Sequence, residues 1–525
     1  MWISGEYNIN PDGPVVLVSQ NIRYTFPFAY GYLSGYLKQK GEDVRVLFRP
    51  MLGDSGSLVK KIMELKPVLV GFGSLYPELK VISELIGKLN AAGRRFPIVI
   101  GGQMVSPIPE FALKVTGADL GVIGEGEITL YKLVRALRER QDFSNIGGLA
   151  IKEKDKVIFT GPGEIIEDLA RLPPIPYEFF PEEKWVPIGR YYTDRAQPHW
   201  RFSDRVIPIH GGRGCPFTCN FCYHHSKFRV RSINDMMREA KVLLERYSGN
   251  MIYFGDDLVI FNTERANDLV KSLRDFKKPV EYSVSARFDV LERIDDTLLR
   301  EMKDSGCRIM GLGIESGSQR ILDLIGKKIT VKQVKVGLKR LKSVGILPTV
   351  SVMVGQVSEG LRDVEESITL MLDSLKEDNN IEYAFTIATP FPGSPLYSLA
   401  LQNNLIASDR DFYDRYDFKT RGRPFQLVVN FSSMNDKLLL SMHRKIYIAY
   451  KKGKGRFLGK RILLVENLRR FLHRVDLIIK EIFIPLVPRF FRVSFVGMIY
   501  QFGYDCIQNK LDIWRLRLRG VDFKG

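Results

Sequence analysis

Three of the five cysteines crowd into one short stretch, GGRGCPFTCNFCYHH, which begins at Gly211 and spaces Cys215, Cys219 and Cys222 as Cys-x3-Cys-x2-Cys. Cys307 and Cys506 lie far from it, so the pattern is not a disulfide framework. It reads as thiolates gathered on a metal in a reducing compartment. Three thiolates in one loop can hold three irons of a cubane cluster. Such clusters normally take four cysteines, so the fourth iron is left with an open coordination site. Gly211, Gly212 and Gly214 let the loop fold tightly. The competing reading is zinc, with His224 or His225 as a fourth ligand. Zinc spacings usually come as two half-sites, and this chain has one.

Other polar residues close apolar runs downstream: Asp256 in YFGDD, Ser285 and Arg287 in SVSARFD, Glu315 and Ser316 in GLGIESGSQRIL, and Gln356 in VMVGQ. Each also has a purely structural reading. Asp256 can cap the following helix, Arg287 can sit in an ion pair, and Glu315 can start a capping turn. Cys307 lies in an apolar strand and reads as a packed core thiol. His224 and His225 read either as solvated loop residues or as an acid or substrate contact.

These residues need a frame that brings strand ends together, and the sequence supplies two. From about Pro14 to Arg140, short Val- and Ile-rich runs (VVLVSQ, DVRVLF, PVLVGFGS, PIVIGGQ, DLGVIGEGE) alternate with amphipathic stretches such as FAYGYLSGYLKQKG and ELKVISELIGKLNAAG. The runs are those of strands buried on both faces, and a terminal Gly caps each helical stretch. The alternation predicts a parallel, doubly wound sheet. From Val206 a second series follows: VIPIHGG, MIYFGDD, VEYSVSARFD, CRIMGLGIES, LPTVSVMVGQ and EYAFTIATPFPG, with helical patterns between. Six such units predict a partial (β/α) barrel whose chemistry sits at the C-terminal strand ends, where the cysteine loop and the polar residues fall. The α/β chain thus divides into a Rossmann-like domain over 1–145, a Pro- and aromatic-rich connector over 146–204 packed on the surface, a (β/α)6 barrel over 205–400, and a helical basic region over 401–525.

Composition sets the outer limits. Hydrophobic residues at 45% suffice for real cores, and charged residues at 26% exclude a disordered or collagen-like chain. The N-terminus lacks the basic and apolar segments of a secretory signal. No uninterrupted apolar run reaches the roughly 18 residues of a spanning helix. The net charge of +18 is concentrated in the tail, where Lys451–Gly525 carries 17 Lys and Arg against 6 Asp and Glu. In the tail, apolar and basic residues interleave, and Pro485 and Pro488 break the run. That composition suits a helix lying in a membrane interface, or a helical cap on the barrel with a solvated basic face. Nucleic acid ranks last, because no recognition module accompanies the charge.

The cysteine loop, with an aromatic (Phe221) before the third cysteine, resembles that of the radical S-adenosylmethionine superfamily. The resemblance implies that the amino and carboxylate groups of S-adenosylmethionine chelate the open iron. One electron then cleaves the sulfonium to give a 5′-deoxyadenosyl radical. The electron would come from a donor such as flavodoxin or ferredoxin. It further implies that Phe221, Asp256, Ser285, Arg287, Glu315, Ser316 and Gln356 bind the cofactor, with Glu315 and Arg287 in catalytic roles. The N-terminal domain resembles the cobalamin-binding domain often fused ahead of such a barrel, most clearly in IGGQMVSPIPEFAL and GADLGVIGEGE. The Gly-bearing strand ends Ser74, Gly101, Gly102, Gly124, Glu125 and Gly126 would then meet the corrinoid. No GxGxxG follows the first strand, which speaks against a dinucleotide. The first histidine in the chain is His199, so this domain has no lower cobalt ligand, as in many members of the fused class. A domain that kept the fold and lost the corrinoid is the alternative.

The expectation is therefore a cytoplasmic enzyme, peripheral at the inner face of the membrane if the tail binds lipid. It would use a 4Fe-4S cluster, S-adenosylmethionine and cobalamin to methylate an unreactive carbon of a small, hydrophobic or lipid-like molecule. A cyclase or rearrangement enzyme without methyl transfer is the near alternative. An RNA-modifying methylthiotransferase would need further cysteines, and none precedes Cys215. A corrinoid- or membrane-binding protein with a vestigial barrel is the non-enzyme alternative, opposed by the intact cysteine loop.

Overall fold

The computed structural model describes residues 9–19, 26–49, 55–154, 156–186, 199–201, 203–274, 276, 279–416 and 427–455. The basic tail beyond residue 455, and Cys506 with it, lies outside the described residues.

The first sheet is parallel through β1 (Val15–Ser19), β2 (Val44–Phe48), β3 (Leu69–Gly73), β4 (Ile98–Gly101) and β5 (Leu120–Val122), in the order β2-β1-β3-β4-β5. β1 is buried along its whole length, as its run of Val and Leu requires. The helices Phe28–Gln39 and Leu79–Ala91 each pass into a glycine with positive φ, Gly41 and Gly93. Strand order reverses between β1 and β3, and a crevice opens beyond their carboxyl ends. Tyr30 staples that point. Its hydroxyl lies 2.7 Å from the Val18 carbonyl and accepts from the Gly73 amide at 2.8 Å.

The sheet does not stop at residue 145. β6 (Leu149–Glu153) and β7 (Lys156–Phe159) continue it as an antiparallel hairpin on β5. The connector read over 146–204 therefore begins inside the first sheet. Nor does the rest of it stay on the surface. Tyr177, Phe180 and Trp185 are buried in the main hydrophobic core, where Trp185 packs edge-on against Phe26 at 5.5 Å and Tyr247 at 4.8 Å. Large aromatics bury the most area per residue, and here they join the two sheets' helical layers.

The second sheet runs β8 (Val206–Ile209), β11 (Met251–Phe254), β12 (Glu281–Ala286), β13 (Cys307–Glu315), β14 (Leu347–Val354) and β15 (Glu382–Ile387). Its strands pair in chain order, all parallel, as an open barrel. Trp200 closes the barrel floor against Val206, Met251 and Ile309. The described residues after 400 pack on both domains. Helices Pro395–Gln402 and Asp409–Arg415 bury Leu396, Tyr397, Phe412 and Tyr416 against the first domain. Helical backbone over 436–455 covers β14 and β15 through Leu439, Met442 and Ile446.

Candidate functional site

The cysteine loop leaves β8 and is pinched at its neck by a two-residue antiparallel ribbon, β9 (Gly212–Arg213) with β10 (Arg229–Val230). Gly214 sits in the neck at φ 72°, and a Cβ there would run into the Ser226 carbonyl. Asp256, at the end of β11, accepts from the Gly211 amide at 2.6 Å and the Gly212 amide at 3.0 Å. It fixes the start of the loop and does not cap the following helix. Burial raises its carboxyl to about 6, against the pull of those amides. On the far side, the Asn220 amide donates to the Ile325 carbonyl at 3.1 Å, and its side chain to the Leu324 carbonyl at 2.9 Å.

Cys219 is buried, Cys215 half-buried and Cys222 exposed, and all three are free thiols. Burial, then the charges of Asp257 and Cys219, hold the Cys215 thiol above its ordinary value. A bound cation would reverse that balance. Among the described residues, no three His, Cys, Asp or Glu side chains converge on one ion-sized point. Neither histidine completes a zinc site: His224 Nε2 lies 3.4 Å from the Cys219 carbonyl, and His225 Nδ1 lies 3.2 Å from Gln103 Nε2. Three free thiols in one loop, with no fourth ligand among the described residues, fit a cubane cluster with one open iron.

The facing wall is the carboxyl end of β13. Glu315 is buried at φ 71° beyond a register shift that starts at Gly313. A left-handed residue that is not glycine is strained, and such strain collects at functional sites. Its Oε1 accepts from Lys327 Nζ at 2.8 Å and from Ser351 Oγ at 3.3 Å. It does not cap the next helix, whose N-cap is Ser318. A side chain at Gly313 would have its Cβ 2.6 Å from Lys327 Nζ and closer still to Glu315 Oε1. Lys327 lies over the Phe221 ring at 5.8 Å, and its carbonyl accepts from Arg287. Arg287 is itself buried. It lies over Phe217 at 3.7 Å, pairs with Asp289 at 2.9 Å, and points Nη1 at Cys219 Sγ, 3.8 Å away. Lys327 was not legible in the sequence. Its only local signal is the Gly-Lys-Lys turn after the helix Gln319–Leu324.

The remaining barrel residues divide. The Ser285 hydroxyl accepts from the Val259 amide at 3.0 Å and so tethers the loop after β11. Ser316 lies 3.3 Å from Ser367 and is fully buried. Gln356 is fully buried at the end of β14, and neither amide atom of its side chain has a hydrogen-bond partner among the described residues. Orphaned amides are costly and ask for a ligand or water. Cys307 is a core thiol, raised to about 12 by burial. The face that carries Glu315 holds small residues along its length, with Ser285 beside Gly311, Gly311 beside Thr349 and Gly313 beside Ser351. Bulky residues fill most barrels at this level; here these positions are small and half-buried.

The carboxyl ends of the first sheet stand against this loop. Gln103, just past β4, reaches His225. Pro107 and Tyr223 both border Gly393, from the loop after β15. Gly102 and Gly124 are exposed at φ 83° and 80°, and a Cβ at Gly124 would meet nothing within 4 Å. Ser74 and Gly101 form the adjoining turn, with the Ser74 amide donating to the Gly101 carbonyl at 3.4 Å. Gly126 is half-buried, and a Cβ there would lie 3.1 Å from Leu33. Bare turns of this kind fit a large flat ligand. The Glu125 carboxylate is bound by Arg213 at 2.7 Å and by Arg229, while Arg213 also holds Glu127 at 2.5 Å. Burial raises the Glu125 carboxyl, but the two guanidiniums outweigh it and hold the group below its usual range. Glu125 thus commits its carboxylate to a latch between the domains.

Two family models match the chain: the B12 binding domain over residues 16–134 and the radical SAM superfamily over residues 209–371. An uncharacterized methyltransferase of Pyrococcus horikoshii is 28% identical over 441 residues, which is 81% of this chain and 87% of that one. An anaerobic magnesium-protoporphyrin IX monomethyl ester cyclase of Rubrivivax gelatinosus is 26% identical, covering 75% of this chain and 69% of that one. Among solved structures, the radical S-adenosylmethionine methyltransferase TsrM from Kitasatospora setae, with cobalamin and a [4Fe-4S] cluster bound, superposes with a TM-score of 0.59 at 18% identity. The match covers 74% of each chain.

Proposed function

We propose, for a chain that is a radical S-adenosylmethionine enzyme of the cobalamin-binding class, that it methylates an unreactive carbon of a small, largely apolar molecule. The observation that carries this reading is the apposition of the glycine-bordered ends of the first sheet to the cysteine loop, through Gln103–His225 and the Glu125–Arg213–Arg229 latch. When bound, the cluster with S-adenosylmethionine supplies a hydrogen-abstracting radical, and cobalamin supplies a methyl carrier.

The chain's own residues do the rest. Cys215, Cys219 and Cys222 would hold three irons. Asp256 fixes the loop's entry, and the Leu324–Lys327 turn fixes its far side. Glu315, held by Lys327 and Ser351, presents a fixed carboxylate to the amino or ribose side of the nucleoside. Gln356 offers unpaired donors and an acceptor at the next strand end. The small residues between β12 and β14 leave space for substrate below them. Pre-organised polar groups in such a pocket cost no reorganisation when charge develops.

The relatives support methyl transfer, and the Rubrivivax cyclase supports ring closure on a large apolar molecule as a second reading. A flavodoxin or ferredoxin as electron donor, and contact of the basic tail with the inner membrane surface, belong to the same proposal. Anaerobic reconstitution with iron, sulfide and hydroxocobalamin tests it. With substrate present, methylation releases both S-adenosylhomocysteine and 5′-deoxyadenosine. Deoxyadenosine alone, with no corrinoid retained, would discard methyl transfer and leave the cyclase reading.

A further inference from the structure

Arg287 lies directly against the cysteine loop. The residue is 5% exposed, its guanidinium carbon lies 3.7 Å from the Phe217 ring centre in the cysteine loop, and Nη1 is directed at the Cys219 sulfur 3.8 Å away. Its other nitrogens are committed: Nε donates to Asp289 at 2.9 Å, and Nη2 donates to the Lys327 carbonyl. A guanidinium stays charged in proteins. The neighbouring charges do not duplicate it. Lys327 is matched by Glu315, Asp257 and Arg287 act with opposite sign on Cys215, and Asp289 binds Arg287 at Nε rather than at the nitrogen that faces the Cys219 sulfur.

We infer that Arg287 sets the reduction potential of the cluster through the Cys219 sulfur, with Asp289 partly offsetting it. This rests on the cluster reading of the cysteine loop. One external electron added to the cluster raises its negative charge by one unit, with no bond made or broken. A fixed positive charge and a donor on a sulfur favour that reduced form, and hydrogen bonds to sulfur and net charge are the protein's levers on such potentials. Asp289 weakens the effect. Arg287 is in this sense a positioning residue acting through Cys219, not a group that touches substrate.

The test is a dithionite-poised redox titration of the reconstituted full-length protein, read by electron paramagnetic resonance. Arg287→Gln is expected to lower the reduced-to-oxidised ratio about tenfold at a fixed potential, about 59 mV for one electron. Arg287→Lys should hold within about threefold of the parent, and Asp289→Asn should shift the ratio the other way. A merely structural role gives no such opposition of sign. If Arg287→Gln and Asp289→Asn both leave the midpoint where it was, or move it in one direction, the inference is overturned. Should Arg287→Gln fail to fold, Asp289→Asn still decides against the inference if the midpoint stays where it was or falls. A parent protein that takes up no four-iron cluster removes the functional reading itself, and the inference with it.

Discussion

Glu125→Gln tests the latch between the two domains. Four charged side chains meet there: Glu125 and Glu127 from the first domain, Arg213 and Arg229 from the neck of the cysteine loop. Their side chains are between 5% and 11% exposed. The group is neutral as it stands. Removing one carboxylate leaves an extra buried positive charge, and breaking a buried pair on one side costs about 3–5 kcal/mol. Arg229→Met leaves the complementary excess and also gives up the donation to the Ile166 carbonyl at 2.6 Å. The double variant leaves Arg213 with Glu127, balanced and still hydrogen-bonded. Its cost should therefore fall short of the sum of the single costs by about 2–3 kcal/mol. Urea denaturation followed by tryptophan fluorescence measures all three, since Trp185 lies buried in the core that joins the domains. The sign with pH follows from the lowered Glu125 carboxyl. Its stabilising contribution is full above the ordinary value for a glutamate and is lost as pH falls through the lower folded value. Single-variant costs that simply add would refute the latch as a coupled unit.

Two further outcomes follow from the barrel. Gly313→Ala drives a methyl group into the Glu315–Lys327 pair. It should weaken S-adenosylmethionine binding to the unreduced enzyme at least about tenfold by calorimetry, or about 1.4 kcal/mol; unchanged affinity would remove Glu315 from the cofactor site. Glu359 is fully buried behind β14, accepting from the Gly355 amide at 2.5 Å, and burial raises its carboxyl to about 7. The folded chain then holds a proton that the unfolded chain has released. Stability is fullest below the ordinary glutamate value and falls as pH rises through 7, by about 3 kcal/mol at most. Glu359→Gln should flatten that slope between pH 5 and 8, and an unaltered slope would assign it to other groups.

Much of this was legible because it is local. A thiolate spacing is a property of one loop, and Val- and Ile-rich runs such as VVLVS and CRIMGLGIE announce buried parallel strands wherever they occur. What was not legible depends on distant pairing. The Glu125–Arg213 contact spans 88 positions, and nothing local in GEGE names that partner. Lys327 gains its meaning only when β13 brings Glu315 beside it. The ribbon at the loop's neck is two residues per strand, too short for any periodicity to show. The hairpin Leu149–Phe159 adjoins a Pro-rich segment whose composition masked it. Residues 436–455 cover the barrel from a point in the chain remote from the strand they protect, so no boundary near 400 could be exact.

The central claim is that Cys215, Cys219 and Cys222 hold a cluster with one iron left open to S-adenosylmethionine. The most direct measurement is Mössbauer spectroscopy of the anaerobically reconstituted protein with and without S-adenosylmethionine, alongside single Cys→Ala variants at each position. The expected result is about four irons per chain, one of whose signals changes when S-adenosylmethionine is added, and loss of the cluster in each variant. Tightly bound zinc, or four iron signals indifferent to S-adenosylmethionine, would contradict it.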